Sequence, residues 1–358
     1  MFDDLDLEGS DQSPTIRYRF HERAFGPPRK RPPALNKQDI VDLDEGNRDR
    51  YNRARETWHS DITVNSRQMQ SLHDTLDLVV RSNGENPGRV RPSALVDSSR
   101  AGVGKTTAMT SYAAAYWRRE VKALGSETPN GARVPVAYVT LSAGTTPKSL
   151  LTMLAEFYDA PTRRLNASDL GRLVSSCVRN CRTRLIVLDD VHFLKTSQTD
   201  IRDVANQLKW LSTEVPATFV YVGIDLEDVI LREGLPVEAA ATSQIARRTT
   251  TLALEPFPMR TRDDSHEWRR LLRDIQRDLV LASLPKGRLS TDLWRYMYER
   301  TSGNFSSLMT LIKRGCELAM SGGNETLDAQ LLELIPLDKE AEEARPLTAR
   351  LLDELRFT

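Results

Sequence analysis

The chain has 358 residues, 50 basic and 50 acidic, and 39% of them are hydrophobic. That is enough for one substantial α/β core plus a smaller helical module. Zero net charge excludes a uniformly basic surface but leaves room for a local basic patch. No apolar run approaches the roughly 20 residues of a bilayer span, and the acidic opening (Asp3, Asp4, Asp6, Glu8) has no apolar signal core. The expectation is a cytoplasmic protein with no membrane partner.

In chain order, residues 1–55 read as a charged, disordered tail. Apolar residues are sparse, and Gly26-Pro27-Pro28-Arg29-Lys30-Arg31-Pro32-Pro33 blocks helix and sheet alike. Such an arm either stays solvated or docks on a partner or on nucleic acid. Residues 56–255 read as an α/β nucleotide-binding domain. Met69, Leu72, Leu76, Val79 and Val80 fall at helical spacing before the breaks at Asn83-Gly84 and Pro87-Gly88. Ser93–Val96 reads as a short buried strand ending at a glycine-rich loop, and a helix follows from Thr106 to near Ala123. Val134–Leu141 predicts a strand, then helices near Ser149–Tyr158 and Ser168–Arg182. Leu185-Ile186-Val187-Leu188 has the unbroken apolar character of a central parallel strand. A helix near Ile201–Ser212 and strands Thr218–Gly223 and Thr250–Leu254 complete an alternation that predicts a parallel sheet flanked by helices. After Pro256 the strands stop. Segments 265–283, 290–300 and 305–320 predict a small helical lid over 256–336, and 337–358 reads as a loosely attached C-terminal tail.

Three cysteines give no disulfide framework. Cys177 and Cys181 share a helix face but lack neighbouring ligands for a metal, and the five histidines show no metal-ligand spacing.

Ser99-Arg100-Ala101-Gly102-Val103-Gly104-Lys105-Thr106 matches the phosphate-binding pattern G-x-x-x-x-G-K-[ST] except at its first position, where serine stands for glycine. Gly102 and Gly104 let the backbone curl so that its N–H groups face phosphate oxygens. The following helix adds its positive end. The stretch from Ser99 to Thr107 is therefore the candidate ATP site, with Lys105 for the β- and γ-phosphates and the Thr106 hydroxyl for Mg²⁺. Leu185–Leu188 runs into Asp189-Asp190. Asp189 is placed to hold Mg²⁺, directly or through water. Asp190 stands where many such ATPases carry a water-orienting glutamate. Aspartate is one methylene shorter, so slow hydrolysis is expected.

With both motifs placed, Leu185-Ile186-Val187-Leu188-Asp189-Asp190-Val191-His192 resembles the "DE-x-H" box of AAA+ ATPases that serve DNA transposition, the TniB-type family related to TnsC. The resemblance continues through Gln207–Ser212, Phe219–Gly223, Ser243-Gln244-Ile245-Ala246-Arg247-Arg248 and Thr301–Leu308, and covers about Trp58 to Pro336. It implies a P-loop AAA+ core with a helical lid. It also implies a homo-oligomer that assembles with ATP on duplex DNA and directs a transposase to its target. Arg248, with Arg247 beside it, matches the arginine that would reach a neighbouring subunit's γ-phosphate. Asn304 and Ser306 stand where some AAA+ proteins place a nucleotide-sensing arginine, and Asp225 is the candidate polar sensor at a strand end. The alternative reading is a signalling or defence ATPase that switches on nucleotide state without a DNA role. A small-molecule kinase lacks any acceptor-binding signature here. Arg118, Arg119, Lys148, Arg163 and Arg164 are candidate DNA-facing charges.

Overall fold

The protein is described by a computed structural model that covers residues 13–84, 91–196, 198–226 and 249–355. It forms two compact units. One combines Asp11–Gly26 with Gln68–Leu254; the other combines Pro27–Arg67 with Glu255–Thr358.

The first unit is built on a five-stranded sheet. Its strands are β1 (Ser93–Asp97), β4 (Val136–Thr140), β5 (Leu185–Asp189), β6 (Thr218–Val222) and β7 (Thr249–Ala253). The order is β4-β5-β6-β1-β7 and the described pairs are all parallel. Leu185 to Leu188 are fully buried, as their continuous apolar run demands of a strand covered on both faces. A small antiparallel hairpin, β2 (Glu127–Thr128) with β3 (Gly131–Ala132), precedes β4.

Helices α4 (Arg67–Gly84), α5 (Lys105–Leu124), α6 (Pro147–Phe157), α7 (Ala167–Asn180) and α8 (Gln198–Glu214) connect these strands. Helix α5 buries Ala108, Met109, Tyr112, Ala113, Tyr116 and Trp117, one stripe at helical period. Helix α6 starts at a reciprocal Thr146–Ser149 capping box with Pro147 at its first position. Asn166 caps α7 by accepting the Asp169 N–H.

The described part of the expected tail carries helices on either side of its proline-rich run, which itself is neither helix nor strand. Helix α1 (Arg17–Phe25) buries Phe20 and Ala24, one turn apart. The Phe20 ring lies 5.6 Å from Trp117 and stacks at 6.1 Å on Tyr138. Helices α2 (Lys37–Val41) and α3 (Glu45–Ser60) belong to the second unit.

That second unit also contains α9 (Arg262–Asp278), α10 (Trp294–Thr301), α11 (Phe305–Ser321), α12 (Ala329–Glu333) and α13 (Lys339–Glu354). Its apolar core gathers Trp268, Leu272, Leu289, Leu308, Leu311, Ile312 and Cys316. The Trp268 indole N–H donates to the Trp294 carbonyl at 2.9 Å. Gly303 has φ +76°, and a Cβ there would stand 2.2 Å from the Phe257 carbonyl oxygen, so no other residue fits.

Polar anchors do the rest. Arg55 on α3 is fully buried and pairs bidentately with the buried Glu325, at 2.6 and 2.9 Å. Its guanidinium lies 4.4 Å from the centre of the Tyr51 ring. Helix α13, expected as a loose tail, is tied by Arg345 to Glu299 and Glu333, and by Glu342 to the buried Arg300. Arg55→Met would leave Glu325 buried without its counter-charge. It should lower unfolding stability by about 3–5 kcal/mol, with the Arg55→Met/Glu325→Met pair recovering much of that loss in urea titrations.

His59, nearly fully buried on α3, accepts the Val280 N–H on Nε2 at 2.9 Å. Burial, then the Arg55 charge, pushes its pKa down from 6.5 to about 3. The folded protein therefore binds one proton fewer than the unfolded chain between those values. Stability should fall by up to about 1.4 kcal/mol per pH unit as pH drops below 6.5. The lowered carboxyls of Glu333 and Asp338 contribute their losses further down, while the raised carboxyls of Glu56 and Asp190 act in the opposite sense. Chemical unfolding of wild type against His59→Gln between pH 6.5 and 4.5 isolates the effect, and the variant should show the flatter profile.

Candidate functional site

Every element of the site follows from one arrangement: a parallel sheet presents the carboxyl ends of its strands on one side, where loops form a crevice. The glycine-rich loop leaves β1 at that side, and Asp189 ends β5 there, with β6 between them. Two inter-strand steps of about 4.8 Å separate β1 from β5, which leaves room for phosphates between them.

The loop residues take the conformations that the sequence pattern requires. Gly102 and Gly104 have φ of +72° and +94°. Helix α5 begins directly after Gly104, with no side-chain cap and no acidic residue in its first turn. Its leading N–H groups and positive end are thus left for an anion. Val103 is buried and anchors the loop, whereas Ser99, Arg100, Ala101, Gly102 and Thr106 are exposed and Thr107 is half-buried. Lys105 Nζ donates to Ser98 Oγ and, at 3.2 Å, to the Arg100 carbonyl. Ser98 Oγ itself donates to that carbonyl at 2.6 Å. The lysine is folded along its own loop and lies near enough to Asp190 to draw that carboxyl's pKa down in part.

Asp189 is buried, and its two oxygens are separately held. The Tyr138 hydroxyl donates to Oδ2 at 2.6 Å and the Asp190 N–H to Oδ1 at 2.9 Å. No arginine or lysine neutralises it among the described residues. Asp190 is part-exposed at φ +58°. Burial, then the neighbouring Asp189 charge, raises its pKa, with His192 and Lys105 opposing. His192 Nδ1 stands 4.0 Å from Asp190 Oδ1.

Gly223 follows β6 and lies against Leu226 and His192. A Cβ there would lie 2.6 Å from Leu226 Cδ2 and 3.2 Å from the His192 N atom, so a side chain would have to displace the Leu226 methyl. Asp225, at φ +49°, donates its N–H to the Ser98 carbonyl at 3.2 Å, and Asp97 accepts the Leu226 N–H on both oxygens at 3.0 Å. The β6 end is thereby stitched to the glycine-rich loop.

An ATP polyphosphate fits this donor set. The bare N-terminus of a 20-residue helix, two glycines in the left-handed region and a lysine within the loop converge on one side. A buried carboxylate without a cationic partner and the exposed Thr106 hydroxyl supply oxygen ligands for Mg²⁺. Among the described residues no three His, Cys, Asp or Glu groups gather into a metal cluster. One carboxylate, one hydroxyl and substrate phosphates are the usual Mg²⁺ complement in such sites.

Arg247 and Arg248 lie outside the described residues. In the second unit, Asn304 accepts the Ser306 and Ser307 N–H groups and so serves as the N-cap of α11. Arg119 is committed to Asp77 at 2.6 Å and Arg118 to the Ala24 carbonyl at 3.2 Å, while Lys148, Arg163 and Arg164 are exposed. Cys177 and Cys181 are half-buried thiols whose pKa values burial raises. Sequence reasoning missed Tyr138 and Ser98. A signal for Tyr138 existed: it is the one aromatic side chain of β4, paired with Val187, two residues and one pleat before Asp189.

A family profile described as an AAA domain matches residues 95–227. Among solved structures the chain is similar to the Aeropyrum pernix ORC2 protein in ADPNP-ADP complexes, with 15% identity, 84% of this chain and 72% of that chain covered, and a TM-score of 0.57. It is also similar to the Aeropyrum pernix ORC1 protein in complex with DNA (16% identity, 81% and 69% covered, TM-score 0.55). A third such structure is Cdc6p from Pyrobaculum aerophilum (16% identity, 76% and 67% covered, TM-score 0.51). No curated protein matches the chain. At these identities the likeness establishes the fold: an AAA+ P-loop fold, with a parallel five-stranded sheet flanked by helices and a helical C-terminal region. No described helix is long and apolar enough to cross a membrane.

Tyr138 holds one oxygen of the carboxylate assigned to Mg²⁺, and residues that orient a ligand in this way typically carry ten- to hundredfold of metal affinity. Tyr138→Phe should therefore raise the Mg²⁺ concentration needed for nucleotide binding by roughly tenfold, with little change in binding measured without Mg²⁺. Mg²⁺ titration against a fluorescent ATP analogue checks this.

Proposed function

We propose that this chain is an ATPase that binds ATP with Mg²⁺ in the loop from Ser99 to Thr107 and uses nucleotide state to assemble on duplex DNA and regulate a transposase. The observation behind the nucleotide assignment is the placement of Lys105 after the carboxyl end of β1 and of Asp189 at the carboxyl end of β5, with the bare start of α5 on the same side. Lys105 supplies the mobile cation for the phosphates. Thr106 and Asp189 are the residues to hold Mg²⁺, whose chemistry is to neutralise charge developing on the transferred phosphoryl group. Asp190, with a raised proton affinity, is the residue to orient the attacking water.

Support for the DNA role comes from two directions. The motifs from Leu185 to His192 and from Ser243 to Arg248 resemble transposition ATPases, and the ORC1 protein with a similar fold was solved in complex with DNA. Assembly follows if an arginine of one subunit, assigned here to Arg248 with Arg247 as its neighbour, stabilises the γ-phosphate held by the next. ATP then favours the oligomer by binding it more tightly than the monomer. DNA adds a salt-sensitive scaffold.

Sedimentation of the purified protein should show assembly with ATP, Mg²⁺ and duplex DNA at low salt, and dissociation from DNA as salt rises. Lys105→Ala should lose detectable ATP binding while keeping its fold. Asp190→Asn should bind ATP and Mg²⁺ but hydrolyse more slowly. Arg248→Ala should bind ATP as a monomer but neither assemble nor hydrolyse. A wild-type protein that binds ATP and remains monomeric with DNA would remove the transposition role and leave the signalling alternative.

A further inference from the structure

The opposite end of the sheet carries a second polar cleft. It has a volume of about 520 Å³ and is lined by Arg81, Arg91, Arg119 and Arg184, with Asp77, Glu120 and Tyr116. Arg91 precedes β1 and Arg184 precedes β5, so this cleft faces the amino ends of strands whose carboxyl ends form the nucleotide loop. Five residues of parallel strand, about 16 Å, separate the two ends.

Among the described residues the charges lining the cleft do not balance. Asp77 is already engaged, accepting from both Arg119 nitrogens and from the Tyr112 hydroxyl. Among the described lining residues, Glu120 is then the one remaining carboxylate against the Arg81, Arg91 and Arg184 guanidiniums. Neither the Arg91 nor the Arg184 guanidinium makes a hydrogen bond or an ion pair among the described residues. The two repel each other: burial first, then the Arg184 charge, lowers the Arg91 pKa. Tyr116 is buried, and Arg184 and Arg119 are close enough to oppose the upward shift of its hydroxyl caused by burial and Glu120. Its hydroxyl likewise has no hydrogen-bond partner among the described residues. Arg184 is exposed and Arg91 half-buried, so both guanidiniums are open to a ligand from solvent, and their mutual repulsion would be relieved by an anion bound between them. Two planar guanidiniums and a phenol hydroxyl are the donor set that binds a phosphate group through paired hydrogen bonds.

We propose that this cleft is a second anion site, separate from the nucleotide loop, in which Arg91 and Arg184 clamp a phosphate group of the ligand. The volume lies within the usual range for small-ligand sites. The phosphate comes either from a small phosphate ester or from a nucleic-acid backbone.

The test uses the full chain with Lys105→Ala, so that the glycine-rich loop does not report. Inorganic pyrophosphate should raise the thermal unfolding midpoint of this protein. Adding Arg91→Gln and Arg184→Gln should weaken that response at least about tenfold, as expected for the loss of charge-assisted pairs. Without ligand, the Gln pair should unfold at or above the temperature of its parent, because a repulsion has been removed. Arg91→Lys with Arg184→Lys keeps the charge but not the fork geometry and should bind pyrophosphate with intermediate strength. A short duplex DNA that displaces pyrophosphate, and loses affinity with the same Gln pair, identifies a backbone phosphate. DNA that fails to displace it identifies a small ester. No stabilisation by pyrophosphate or by DNA, or a response that survives the Gln pair undiminished, overturns the proposal.

Discussion

Strand β6 sets the geometry on which the site depends. Because it is inserted between β1 and β5, the glycine-rich loop and the Asp189 carboxylate face each other across two strand spacings. The Asp97–Leu226 and Ser98–Asp225 hydrogen bonds lock the end of β6 to the loop. The site is thus positioned by sheet hydrogen bonding together with the side chains of Asp97 and Tyr138.

The second unit meets a different constraint. Helices α2 and α3 have few apolar residues, so apolar burial alone cannot hold them. They are fixed instead by large amphipathic groups whose polar ends find specific partners. Tyr51 donates to the Pro33 carbonyl, Trp58 to the Asp278 carbonyl, and Arg55 to Glu325. Arg300 plays the same part for α13, reaching the Leu332 and Ile335 carbonyls as well as Glu342. Such anchors are specific because each is costly when left unpaired.

This contrast explains what could be read in advance. The strands of the first unit were legible because unbroken apolar runs such as Leu185–Leu188 have one good solution, a covered parallel strand. The turn after β1 was legible because Gly102 and Gly104 mark it, and Asp189 because it closes the apolar run of β5. The segment 13–55 reads as a tail because its anchors are charged or isolated. Nothing local in the sequence shows that Arg55 meets Glu325, 270 residues away, or that Phe20 lies under Trp117 and Tyr138. Tyr138 was hidden for a related reason: within a buried strand an aromatic residue reads as core, and the hydroxyl's partner depends on the register between β4 and β5.

The aspartate at position 190, a departure from the usual glutamate, has a local physical reason. Its backbone lies at φ +58°, in the left-handed region that aspartate and asparagine enter more readily than most residues. That conformation turns the Asp190 N–H back onto Asp189 Oδ1 at 2.9 Å, so the same turn that places the second carboxylate also orients the first. Glutamate would gain a methylene of reach but would fit this backbone less well. The chain therefore combines a well-held, buried carboxylate at Asp189 with a short neighbour of raised proton affinity. In the proposed reaction, that pairing favours a long-lived ATP-bound state over rapid turnover, which suits a protein whose nucleotide serves to hold an assembly together.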